Sequence, residues 1–152
     1  MTVRFIRKLV VGLFIFFASS AVAALVVRNR FPAFGDEGDE EFSIVAAMGG
    51  RVFESNTTNL SEGKAIAFMG GVELDLVDAA VGPGAYLVLR AVFGGIDVVV
   101  PSGWRVEMMG RSVMGGVANL TDPDALGEEA PVLLVDALAV MGGIEIHGEE
   151  IV

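Results

Sequence analysis

The chain has 152 residues, 53% of them apolar, with 20 glycines, no cysteine and a formal net charge of −10. That is enough for one domain with a real core, and the composition lies outside the disordered class. The lack of cysteine excludes a disulfide framework, a thiolate zinc site and a cysteine nucleophile.

The charge is unevenly spread. Arg4, Arg7, Lys8, Arg28 and Arg30 are the only charged residues among the first 30, and the rest of the chain sets five basic groups against all 20 acidic ones, a balance of −15. A body this acidic repels phosphate backbones, so nucleic-acid binding is not expected.

Residues 9–27, "LVVGLFIFFASSAVAALVV", run for 19 residues without a charge. At ~1.5 Å per helical residue they span about 30 Å, the thickness of a bilayer core. One transmembrane helix within an N-terminal anchor, residues 1–30, is predicted. A cleaved signal peptide is the alternative, because Ala21-Val22-Ala23 offers small residues where a peptidase would cut. Leu25-Val26-Val27 continue the apolar run past that point, which favours the uncleaved anchor. Three basic residues before the run and two after it favour an N-inside, single-pass arrangement in the cell membrane, with the acidic body outside the cytoplasm.

Residues 31–42 read as an acidic linker. Their core, "FGDEGDEE", lacks the ligand spacing of a calcium loop and is expected to be a solvated, self-repelling tether.

From residue 43 to 152 the sequence repeats. A large apolar residue precedes a Gly-Gly pair at Met48-Gly49-Gly50, Met69-Gly70-Gly71, Phe93-Gly94-Gly95, Met114-Gly115-Gly116 and Met141-Gly142-Gly143, at intervals of 21, 24, 21 and 27 residues. Ala46, Ala67, Ala91, Ser112 and Ala139 stand two places before the large residue, and Arg51, Val72, Ile96, Val117 and Ile144 three places after it. Periods of this length call for a repeat architecture. The units alternate apolar and acidic residues, as in Val72-Glu73-Leu74-Asp75-Leu76, which points to strands with one buried face.

The predicted fold is all-β: a small β-solenoid, parallel β-helix-like, with five Gly-Gly-marked coils stacked in sequence order and about three short strands per coil. The glycine pairs are expected to be corners of positive φ that reset the strand phase. The Met/Phe column and the small-residue column are expected inside. An antiparallel β-sandwich of hairpins is the runner-up.

Two segments carry a resemblance to a known family: "AIAFMGGVELDLVDA" at residues 65–79 and "AVFGGIDVVVPSGWRV" at residues 91–106. They resemble the C-terminal domain of the LiaF-like family, the cell-wall-active antibiotics response proteins. The resemblance covers residues 43–146 and implies a membrane-associated, non-enzymatic domain. In some members of that family it is a negative regulator of a two-component system sensing envelope stress. The best-known members have several membrane helices before the domain, whereas one is expected here. The resemblance supplies no catalytic residues and no cofactor.

Catalytic motifs are missing from the residues themselves. His147 is the single histidine, no Gly-x-Ser-x-Gly elbow occurs, and the glycine pairs complete neither a P-loop nor a Rossmann turn. A zinc site of Glu145, His147 and Glu149 can be drawn on one strand face, but a polar alternation is expected at a chain end. No catalytic, metal or cofactor site is predicted.

Two outer features remain. Phe68, Val92, Val113 and Val140 form an apolar stripe that reads either as a docking surface or as core beneath long loops. Glu73, Asp97 and Glu145 hold one repeat position, with Ala118 interrupting them in the fourth repeat. The expected function is protein–protein contact in the cell-envelope stress response or its regulation, with an envelope or two-component signalling protein as partner. A self-associating scaffold at the membrane, joined through open solenoid edges, is the alternative.

Overall fold

A computed structural model describes residues 2–149, apart from the side chains of residues 2–6, 13, 14, 16, 17, 20, 24, 27 and 28. Helix α1 covers Thr2–Arg30. Among the described residues, no helix is long and apolar enough to cross a membrane. Seven of the 19 residues behind the anchor expectation, Phe14, Phe16 and Phe17 among them, have side chains outside the described set.

Ten strands follow among the described residues: β1 (Glu41–Ala46) and β2 (Gly49–Glu54), β3 (Leu60–Phe68) and β4 (Gly70–Asp75), β5 (Val81–Val92) and β6 (Gly95–Val100), β7 (Arg105–Ser112) and β8 (Gly115–Asn119), and β9 (Val132–Val140) and β10 (Gly142–Gly148). Each pair is one coil. The first strands form one five-stranded sheet and the second strands another, and every strand pairing in both is parallel. Parallel pairing excludes the hairpin sandwich. Each coil has two strands instead of the expected three, because the corner takes almost nothing from them: β3 ends at Phe68 and β4 starts at Gly70.

The coils do not stack in sequence order. The sheets run β1-β3-β5-β9-β7 and β2-β4-β6-β10-β8, so the fifth coil lies between the third and the fourth. Residues 101–104 step over the place that the fifth coil occupies, with Trp104 buried and its backbone N–H donating to the Pro101 carbonyl at 3.1 Å. The longer segment 120–131 then brings the chain back, held by Arg105 Nη2 donating to the Gly127 carbonyl at 2.9 Å.

The core lies between the two sheets. One inner row is Ala46, Ala67, Ala91, Ala139 and Ser112, as the small-residue column requires, and facing it stand Val72, Ile96, Ile144 and Val117. Larger side chains, Leu74, Leu87, Leu89, Val98 and Ile146, fill the centre with no exposure. Burial of this kind stabilises by roughly 1.5–3 kcal/mol per large side chain.

Two expectations about the corner are corrected. The Met/Phe column is outside: Met48, Phe93, Met114 and Met141 are 57%, 51%, 63% and 44% exposed. The residue that turns the chain in the middle coils is the large one, since Met69, Phe93 and Met141 have φ of 54°, 54° and 53°. Of the pairs, only Gly49 and Gly115, in the two end coils, have positive φ. The glycines serve a different need. A Cβ on Gly70 would be driven into the Gly49 carbonyl, one on Gly94 into Gly70, one on Gly142 into Gly94 and one on Gly115 into Gly142. In four of the five pairs the first glycine therefore allows a backbone-to-backbone contact with the neighbouring coil, Gly49 at the end of the stack having open space, and the order of contacts repeats the shuffled coil order. The second glycines, Gly50, Gly71, Gly95, Gly116 and Gly143, have ordinary or open surroundings.

The acidic linker is solvated but is not a free tether. Phe34 and Ser43 exchange backbone hydrogen bonds at 3.0 and 2.7 Å, Asn56 N–H donates to the Glu37 carbonyl at 2.8 Å, and Ser61 N–H to the Glu40 carbonyl at 2.9 Å. Phe42, assigned to the linker from sequence, is 1% exposed and belongs to the core.

Candidate interaction surface

Three features occupy the outer surface of the stack. The first lies along the Gly-Gly corner. Phe68, Val92 and Val140 are register partners in one outward row that Ala47 and Val113 extend, and all but the exposed Val113 are half-buried. Beside it runs the ridge of Met48, Met69, Phe93, Met141 and Met114. The stripe read from sequence is thus one half of a wider apolar band. Sequence reasoning missed the other half because a phase reset at the corner can turn the large residue either way. The signal available was its chemistry: four unbranched methionines adapt well to a contact surface.

The second feature is the acidic row. Glu73, Asp97 and Glu145 are direct partners on β4, β6 and β10, with Val52 before them and Ala118 after. The expected interruption by Ala118 does not occur, because the fourth coil lies at the end of the stack. Neighbouring strands stand about 4.8 Å apart, and like charges at that spacing in water repel by on the order of 1 kcal/mol per pair. His147 Nδ1 lies 3.1 Å from Asp97 Oδ1, an ion pair when the imidazole is protonated. The row borders an open depression of about 500 Å³ whose floor includes Gly71, Gly95 and Gly143. Among the described residues, no group of three or more His, Asp or Glu side chains is placed to hold a metal ion.

The third feature was not read from sequence. Asp136, on β9, accepts from Arg90 Nη2 at 2.8 Å through Oδ2, and Arg111 Nη2 stands 3.6 Å from Oδ1. Arg90 Nη1 also donates to the Asp136 and Leu89 carbonyls, both at 2.9 Å. The Arg90 hydrogen bond, helped by the charges of Arg90 and Arg111 and opposed by burial, holds the Asp136 carboxyl below its ordinary range. Its three members come from three separate repeats, so nothing local marks them. The cluster lies beside the apolar stripe, since Arg90 and Leu138 are partners two residues before Val92 and Val140.

No family model matches the chain, and no curated protein does. Among solved structures the chain is similar to a Clostridium sporogenes protein provisionally assigned to cell adhesion, at 17% identity and a TM-score of 0.50. The similarity covers 72% of this chain and 55% of that one, so this chain spans about half that protein's length. At this identity the likeness is one of fold.

Proposed function

We propose that the chain is a non-catalytic β-repeat module held at the cell membrane by its N-terminal segment, acting by protein–protein contact through the corner ridge in the envelope stress response or its regulation. The observation that carries this reading is where the ridge residues sit. Met69, Phe93 and Met141 occupy left-handed backbone positions, which cost an L-residue with a bulky side chain roughly 1–2 kcal/mol and which Gly, Asn or Asp would fill more cheaply. Phe93 and Met141 gain little burial in return. Apolar side chains kept at strained, solvent-facing positions in successive coils are accounted for by a contact outside the chain.

The charge-free residues 9–27 support the membrane attachment, and the "FMGGVELDL" and "VPSGW" segments support the LiaF-like setting. The role provisionally given to the C. sporogenes neighbour is cell adhesion, which is compatible with this reading. A self-associating module is the second reading, favoured by an open end of the stack.

The double substitution Phe93→Asn and Met141→Asn separates fold from function. Asn is at home in the left-handed region, so the melting temperature should stay level or rise by a few degrees. In a deletion strain challenged with a cell-wall-active antibiotic, the variant should fail to restore the response that the unaltered chain restores. Full restoration would refute the ridge as the functional surface.

A further inference from the structure

The two ends of the stack are built differently. At the first coil, Ser43 on β1 is bridged to Phe34, and residues 42–46 are buried. On β2, Arg51 stands in the inward row shared by Val72, Ile96, Ile144 and Val117. A charge in a core row is a device that keeps another strand from adding to an edge.

The opposite end has neither protection. Strands β7 and β8 are last in their sheets and pair on one side only. In a parallel strand, alternate residues present N–H and C=O to opposite neighbours. Arg105 N–H donates to Pro131 at 2.8 Å and Val113 N–H to Ala139 at 3.0 Å, so the odd residues of β7 face inward along the sheet. Val106, Met108, Gly110 and Ser112 therefore aim their backbone groups off the end. Among the described residues, the one hydrogen bond that meets this edge of β7 is from Asn119 Nδ2 to the Val106 carbonyl, at 3.1 Å. Gly110 and Ser112 are exposed although their register partners Ala137 and Ala139 have no exposure at all. The core rows that pass through Gly110 and Ser112 are open to solvent here, although Val106 at the start of β7 is buried, and no charged residue stands in them.

We propose that this end is closed by a second copy of the chain, with β7 pairing antiparallel to β7 of the second copy about a two-fold axis at Met109. In that register Met108 meets Gly110 of the second copy, and the outward-aimed backbone groups of both become hydrogen-bonded partners. Met109, 70% exposed in the single chain, packs against Met109 of the second copy. Glu107 stands opposite Arg111 of the second copy, twice. Moving the register by one hydrogen-bonded step sets Arg105 against Arg111, or replaces the Glu107–Arg111 pairs with Glu107 against Val113, so charge selects the first arrangement. Because the other end is protected, association stops at a closed pair and makes no filament. This goes beyond the contact reading and does not depend on what the ridge binds.

Sedimentation of the full chain in detergent, over a micromolar concentration series, tests it. The unaltered chain should sediment as two chains per particle. Ser112→Pro replaces an N–H that makes no bond in its own sheet and places a ring on the pairing edge, and Glu107→Arg sets like charges against Arg111. Each should weaken association by about tenfold or more and keep the melting temperature of the single chain. Phe93→Asn should pair normally, so a failed ridge and a failed edge give different results. A single chain per particle for the unaltered protein, or pairs that survive both edge substitutions, would overturn the proposal.

Discussion

Gly94→Ala should destabilise the domain by more than about 3 kcal/mol, whereas Gly116→Ala should change stability by less than about 1 kcal/mol. Both residues belong to the same motif, and neither has positive φ. What separates them is the neighbouring coil. A methyl group on Gly94 would occupy the place of the Gly70 carbonyl oxygen and crowd its N and C atoms at 3.0 and 3.1 Å, all of which are backbone and shared with the strand ladder. Relief requires pushing two coils apart, and this loosens pairing on both sides of the middle coil. On Gly116 the same methyl group meets nothing within 4 Å. Urea denaturation of both variants in detergent decides the matter, and equal losses would show that the glycines act through backbone freedom instead of close stacking.

Phe42→Ala should cost about 3–5 kcal/mol, the range for emptying a buried aromatic site. The ring is the largest fully buried side chain of the first coil, packed 4.8 Å from the half-buried Phe53 at 37°. Gly63 in the next coil leaves room for it, since a Cβ there would come within 2.6 Å of Phe42 Cζ. From the other side Gly35, with φ of 97°, lets the acidic segment cross directly over the Phe42 backbone. Loss of the ring should therefore also release the linker, raising hydrogen exchange at the Asn56 and Ser61 amides that donate to Glu37 and Glu40. A loss below about 1 kcal/mol, with those amides still protected, would return Phe42 to the linker.

These two sites also mark how far the sequence could be read. Alternation in Val72-Glu73-Leu74 and its copies is a local property, and it correctly assigned strands, parallel coils and the small-residue and Val/Ile rows, while it wrongly turned the Met/Phe column inward. The glycine pairs were legible as a special backbone feature, yet their mechanism was not, because a close approach between coils is set by a neighbour 21 or more residues away. Coil order was hidden for a related reason. Each unit offers its neighbours nearly the same surface, so periodicity fixes the units and not their sequence in space. One clue was available: Gly110, Ser112 and Asn119 weaken the inner rows of the fourth repeat, and an atypical repeat belongs at an end of a stack. The Arg90–Asp136–Arg111 cluster had no sequence signal at all, since its members meet only after the fifth coil has been inserted.

The shuffled order underlies the continuous acidic row and the open β7/β8 end, and therefore much of what the outer surface can do. It can be tested with cysteine pairs, because the natural chain has no cysteine to interfere. Asp97 and Glu145 are register partners on adjacent strands, and Asp97 and Ala118 lie two strands apart. Adjacent strands fall within disulfide reach, whereas two spacings, about 9.6 Å, exceed it. Under mild oxidation, Asp97→Cys/Glu145→Cys should form an intrachain disulfide and Asp97→Cys/Ala118→Cys should stay reduced. The reverse pattern would restore the order of the sequence and contradict the fold described here.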